Sequence, residues 1–179
     1  MKSVSAATTT LPARGLAATR APSFAETAER HLDDVYRYLL VFTRDHALAE
    51  DLAAETFERA LRIWRRFDPA RSSARTWLCT IARSIALDHF RAEQRRRNRE
   101  RAVSETEGQL DPPDLGLSPA LERALAALSA ADREVVALRI VLDLDNEAVA
   151  RMLGISATAC TTRLSRALKR LEELMSDDD

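Results

Sequence analysis

The stretch "GISATACTTRLSRALKRL" (154–171) decides how this chain is read. Gly154 suits the left-handed position that ends a helix, Ile155 plugs a tight turn, and Ser156 can cap a second helix. Beyond the cap, Cys160, Leu164, Leu168, Leu171 and Met175 recur at helical spacing and form an inward stripe. Ala157, Thr158, Thr161, Thr162, Arg163, Ser165, Arg166, Lys169 and Arg170 are left outside. Between Ser156 and Arg170 there are four basic residues and no acid. Upstream, Asp145 can cap a short helix carrying Ala148, Val149, Met152 and Leu153. Short helix, glycine turn, longer helix is a helix-turn-helix pattern, whose second helix lies in the DNA major groove. Thr and Ser can bond base edges or phosphates, and Arg can bracket guanine. The competing reading is a solvated face whose arginines pair with distant acids.

Outward from that unit the rest of the chain is also helical. Ser118-Pro119 is a cap followed by proline at the first helical position, before Leu121, Leu125 and Leu128. Ser129-x-x-Asp132 opens another helix, with Val135, Val136, Leu138, Ile140 and Leu142 apolar. At the other end, Ser23 to Glu26 reads as a capping box. Phe24, Ala28, Leu32, Val35, Leu39 and Phe42 follow at helical spacing. Asp45 can cap a second helix with Leu48, Leu52, Phe57, Ala60, Leu61 and Trp64 as its stripe. "FDPARSSAR" (67–75) breaks the pattern as a loop. A third helix carries Trp77, Leu78, Ile81, Ile85 and Phe90 on one face and runs into "RAEQRRRNRER" (91–101).

Residues 102–117, "AVSETEGQLDPPDLGL", hold four acids, no base, two prolines and two glycines, which is linker composition. Fully extended, such a segment reaches at most roughly 55 Å. The expected architecture is therefore all-α: two small helical modules, 23–101 and 118–176, joined by a flexible acidic linker, 102–117. Residues 1–22 are rich in Ala, Thr and Arg without an acid. They faintly resemble a transit peptide but lack an apolar signal core, so a disordered leader is expected.

Charge is distributed unevenly within a net of −1 over 179 residues. Of 27 basic residues only Lys2 and Lys169 are lysine. Arginine suits phosphate pairing, although a GC-rich coding sequence produces the same excess. Arg83 to Arg101 holds seven arginines and three acids beside Trp77 and Phe90, a combination suited to stacked, melted strands. The place of Trp77 in the apolar stripe also fits a core residue. Asp45, Glu50, Asp51, Glu55 and Glu58 make the second helix acidic, with no Lys or Arg within 45–58. Helix-dipole complementarity explains Asp45 but not Glu55 or Glu58, so a protein partner with a basic patch is implied.

Catalysis and metal binding find no support in the residues. Cys79 and Cys160 lie far apart, outside any CxxC, and read as buried filler. His31, His46 and His89 stand apart without ligand spacing or a nucleophile. No apolar run reaches the roughly 18 residues of a membrane span. No enzyme activity, metal, cofactor or membrane insertion is expected, and a cytoplasmic location is.

"AEDLAAETFERALRIWRRFD" (49–68) followed by "ARTWLCTIARSIALDHFRAEQRRR" (74–97) resembles region 2 of the extracytoplasmic-function (group IV) sigma factors of bacterial RNA polymerase, in the sigma-70 family. "LSAADREVVALRIVLDLDNEAVARMLGISATACTTRLSRALKRLEEL" (128–174) resembles their region 4. The resemblance implies an alternative sigma factor that binds core polymerase and directs promoter-specific transcription initiation. It implies that Asp51, Leu52, Glu55 and Phe57 dock on the polymerase clamp helices. It implies that Arg71, Arg75, Trp77, Arg83, Ser84, Asp88 and Arg91 engage the minus-ten element. Ser156, Thr158, Thr161, Thr162, Arg163, Arg166 and Arg170 are then expected at the minus-thirty-five element, with region 4 also touching the polymerase flap. The linker would thread toward the RNA exit path, and a cognate anti-sigma factor is an expected partner.

Several positions depart from the family pattern. Ser84 stands where many members have Asn, Asp143-Leu144-Asp145-Asn146 replaces a turn often written G-L-S-Y, and Thr161 and Ser165 replace Lys and His. These departures bear on which promoter is read. Two rival functions are a dimeric helix-turn-helix regulator acting without polymerase and a protein-only adaptor or anti-activator. The acidic second helix argues against the first, and retention on heparin or DNA would exclude the second.

Overall fold

The computed structural model describes residues 22–101 and 117–176. The expected leader, apart from Pro22, and the linker, apart from Leu117, lie outside the described residues, and so do 177–179. Among the described residues there are helices and no strand.

Helix α1, Phe24–Thr43, starts at the capping box: the Glu26 amide donates to Ser23 Oγ, and the Ser23 amide donates to the Glu26 carboxylate. It ends at Arg44, held left-handed at φ 60°. Helix α2, His46–Arg62, is capped by Asp45, whose carboxylate accepts from the Leu48 amide at 3.0 Å. A 3-10 turn, Trp64–Arg66, leads into the loop. Ser73 caps helix α3, Ala74–Arg101, by accepting from the Thr76 amide. These three helices pack on one another. Their core is Val35, Tyr38, Leu39, Leu52, Ala60, Leu78, Ile81 and Ile85.

The second set begins with α4, Pro119–Ala127, and α5, Ala130–Val136, capped by Ser118 and Ser129. The chain then widens into one π-helical segment, Ala137–Val141, in which the Leu142 amide reaches the Ala137 carbonyl. Asp143, at φ 47°, turns it into α6, Asn146–Leu153, capped by Asp145. Gly154, at φ 68°, closes α6 in the left-handed conformation expected of it. Helix α7, Ala157–Ser176, packs against α4, α5 and α6.

Some apolar residues do not face the core as their spacing suggests. Leu32, Leu61 and Ile140 are each more than half exposed. On α7 the packed face is Cys160, Leu164, Ala167, Leu171 and Leu174, while Leu168 and Met175 turn partly to solvent. These packed positions keep alternating spacings of four and three, which pass through Ala167 and leave Leu168 to one side. Leu168 instead joins Leu40, Val41, Leu121, Ile140 and Val141 around an apolar groove of about 360 Å³.

That groove lies where the two helical sets meet. They are not merely tethered, because α1 packs on α5 and on the π-helical segment. Tyr38, fully buried on α1, donates its hydroxyl to Glu134 at 3.1 Å. Arg83 of α3 donates to the same Glu134 oxygen at 2.8 Å. Arg133 donates to the Leu125 and Leu128 carbonyls and, at 3.5 Å, to that of Phe42.

Candidate nucleic-acid and partner-binding surfaces

On α2, Asp51, Glu55 and Glu58 recur at i, i+4 and i+7, so they share one face. All three are exposed, as is Glu50. Glu58 pairs with Arg62 at 2.7 Å. Leu52, expected among the contact residues, is 3% exposed and belongs to the core. The helical period turns it away from its acidic neighbours, so it supports their face from within the core. Phe57 is half-buried against the core. Leu61, expected inside, stands exposed at the end of the same helix. Only packing decides which leucine of an amphipathic helix is left out.

The loop after α2 is shaped by Asp68, whose carboxylate accepts from the Ala70 amide and whose carbonyl accepts from that of Arg71. Beside it four rings cluster. Trp64 meets Phe24 and Trp77 edge-on and stacks on Phe67 at 5.0 Å. All four rings are half-buried, with Arg65, Arg66 and Arg71 exposed and Arg75 half-buried. Trp77 is thus both a packed residue and part of a ring-lined surface. Trp64 and Phe67 were missed as surface candidates because Trp64 fits a core position by spacing and Phe67 sits in a loop. A ring flanked by arginines was the available signal.

Along α3, Ser84, Asp88 and Arg91 share one exposed face, with Asp88 and Arg91 paired at 3.0 Å. Arg83 does not join them. Its side chain is 23% exposed and paired with Glu134, so in this arrangement its guanidinium is already occupied. Glu134 was missed altogether, since a lone glutamate between Arg133 and Val135 carries no sequence signal. Further along α3, hydrogen bonds from Arg96 and Arg97 hold the Glu93 carboxyl below its usual range.

Ser156 caps α7 by accepting from the Ala159 amide at 3.1 Å. Asn146 donates to the Ala157 carbonyl and ties the starts of α6 and α7 together. Ser156, Thr158, Thr161, Thr162, Arg166 and Arg170 are exposed, and Arg163 is half-buried. Thr161 donates its hydroxyl back to the Ala157 carbonyl, leaving its oxygen as an acceptor. Arg170 lies 3.4 Å from Glu173. Burial raises the Cys160 thiol above its ordinary value, and the Arg139 and Arg163 charges oppose that. Among the described residues no group of three or more His, Cys, Asp or Glu side chains could hold a metal. No described helix is long and apolar enough to cross a membrane.

An acidic helix face, a ring cluster rimmed with arginine and a capped helix-turn-helix, all on helices and their connections among the described residues, fit a promoter-reading subunit of the sigma type. Comparison with known proteins agrees: residues 27–96 match the Sigma-70 region 2 family and residues 118–171 match Sigma-70, region 4. The chain belongs to the extracytoplasmic-function sigma factors of the sigma-70 family, which bind core RNA polymerase and direct promoter-specific transcription initiation. It is 33% identical to the ECF RNA polymerase sigma factor BldN of Streptomyces coelicolor, over 88% of this chain and 62% of that one. It is 31% identical to the ECF RNA polymerase sigma factor SigX of Bacillus subtilis, over 81% and 84%. Among solved structures, the sigma factor RpoE of Bartonella quintana in complex with the anti-sigma factor NepR superposes with a TM-score of 0.74. There the identity is 26%, over 87% of this chain and 98% of that one.

Proposed function

We propose that the promoter-directing work is divided among three surfaces, with no catalytic step of the chain's own and a cytoplasmic site of action. Asp51, Glu55 and Glu58, with Leu61 at their edge, dock on a basic part of core polymerase, the clamp helices. Trp64, Phe67 and Trp77, with Arg71 and Arg75, hold unstacked bases of the minus-ten element, since rings stack on bases of any sequence. Ser84, Asp88 and Arg91 flank that strand, and Arg83 joins them when released from Glu134. Ser156, Thr158, Thr161, Thr162, Arg163, Arg166 and Arg170 face the minus-thirty-five major groove. The modules of this division run from 23 to 101 and from 118 to 176.

One observation carries the reading: the exposed side chains of α2 as far as Glu58 include Glu50, Asp51, Glu55 and Glu58 and no Lys or Arg, while those of α7 as far as Arg170 include Arg166, Lys169 and Arg170 and no acid. A chain that only bound duplex DNA would have no use for a carboxylate-rich face. The apolar groove lined by Leu40, Val41, Leu121, Ile140 and Leu168 is the seat proposed for an anti-sigma factor. Support comes from its position between the modules and from the RpoE relative, whose structure contains NepR.

The test is in vitro transcription with purified core polymerase over a genomic promoter library. Discrete start sites that appear only when this chain is added support the reading. Operator binding without any polymerase-dependent transcript would overturn it.

A further inference from the structure

We propose that the docked arrangement of the two modules is a self-masked state of the free protein, latched by Glu134, which occupies Arg83 and must release it before Arg83 can meet the minus-ten strand. The inference rests on the proposed promoter contacts and adds to them a residue that controls access.

Among the described residues Glu134 is the one buried carboxylate, 5% exposed. A single oxygen accepts from both Tyr38 on α1 and Arg83 on α3, elements of the first module, while Glu134 itself lies on α5 of the second. Unlike its neighbours Ser84, Asp88 and Arg91, Arg83 is largely covered. A carboxylate and a nucleic-acid oxygen compete for the same guanidinium donors, so Glu134 and a DNA strand exclude one another there. Arg133, next in sequence, ties the α4 end and the α1 end together through carbonyls, so two adjacent residues register α5 on the first module.

Size requires such a state to open. The minus-ten and minus-thirty-five elements are roughly 25 base pairs apart, about 85 Å at 3.4 Å per step. A compact chain of this length has a radius of gyration of only about 16 Å. Docked modules cannot reach both elements. The chemistry of the latch suits reversal: desolvating two charges consumes most of their mutual attraction, so the pair specifies the seat without holding it tightly. A partner that binds only separated modules then draws the population open by its differential affinity.

The experiment uses the full-length free chain. Dyes are attached at Ala54→Cys and Ser176→Cys, both exposed positions, and energy transfer between them reports separation. Affinity for a short single-stranded DNA of random sequence is measured on the unlabelled protein. Glu134→Gln keeps the volume and removes the charge. It is expected to lower transfer and to tighten strand binding about tenfold, as when an open fraction near a tenth becomes dominant. Tyr38→Phe removes one hydrogen bond and is expected to shift both readouts the same way by less. It carries the test should Glu134→Gln lose helicity. Unchanged transfer in the variants overturns the proposal, and so does opening without tighter strand binding. Initiation with core polymerase is scored in parallel on the wild type. Its absence counts against the promoter reading, whereas its presence beside an unmoved Glu134→Gln sinks the latch alone.

Discussion

Neighbouring residues in this chain have opposite fates. Leu52 sits between Asp51 and Ala53, yet it is core while Asp51 is surface. Leu52→Ala should destabilise the fold by about 2–5 kcal/mol, read by urea unfolding. Any loss of polymerase binding would follow from that. On α7, truncating Arg166 to Ala should weaken promoter binding by about 1–3 kcal/mol if the guanidinium brackets a base. The loss should vary with the minus-thirty-five sequence, read by anisotropy over a panel of duplexes. A uniform loss marks a phosphate contact instead. Burial pushes the Cys79 thiol up to about 12. The unfolded thiol ionises near 8.5 while the native one keeps its proton. The stability this group contributes is therefore full below about 8.5 and is lost as pH climbs through about 12. Cys79→Ala should flatten that alkaline decline in urea titrations run at several pH values.

At the scale of the element, the helix ends were legible and the helix faces only partly so. Ser23, Asp45, Ser118, Ser129, Asp145 and Ser156 each accept from the amide three residues on, as their sequence positions imply. Capping is local chemistry that needs no partner element. Facing is not local, which is why Leu32, Leu61, Ile140 and Leu168 have inward spacing and stand outward. The acidic stripe of α2 makes an element-scale prediction. Asp51→Arg combined with Glu55→Arg should abolish core-polymerase pull-down and leave the melting temperature within a few degrees, since both side chains are exposed. At Gly154, φ is 68° and nothing crowds an added Cβ. Gly154→Ala should therefore cost about 1–2 kcal/mol from backbone strain alone, read by thermal unfolding.

Across the whole molecule, the seam between α1 and α5 couples modules that the sequence presents as independent. With the docked arrangement favoured by only about tenfold, losing the pair costs at most about 1.4 kcal/mol, because the modules open and Arg83 returns to water. Glu134→Ala should therefore lower stability by no more than that and split the calorimetric unfolding transition into two. A single transition at unchanged temperature would show that the seam carries no such coupling. The same seam explains why the candidate surfaces were only partly readable. Arg83 looks like its basic neighbours along α3 in any linear reading, and only the arrival of α5 sets it apart.

The sequence by itself determined the helical class, the caps, the turn at Gly154 and the sign of charge on each helix. Those properties depend on spacing within a few residues and on side-chain chemistry that travels with the chain. Tertiary structure alone decided which apolar residues are left over to line a groove, that Trp64 and Phe67 join Trp77 in one ring cluster, and that Glu134 holds Arg83 across the seam. Each of these brings together residues from separate elements of the fold, and no local pattern encodes the meeting of surfaces that form only when those elements pack.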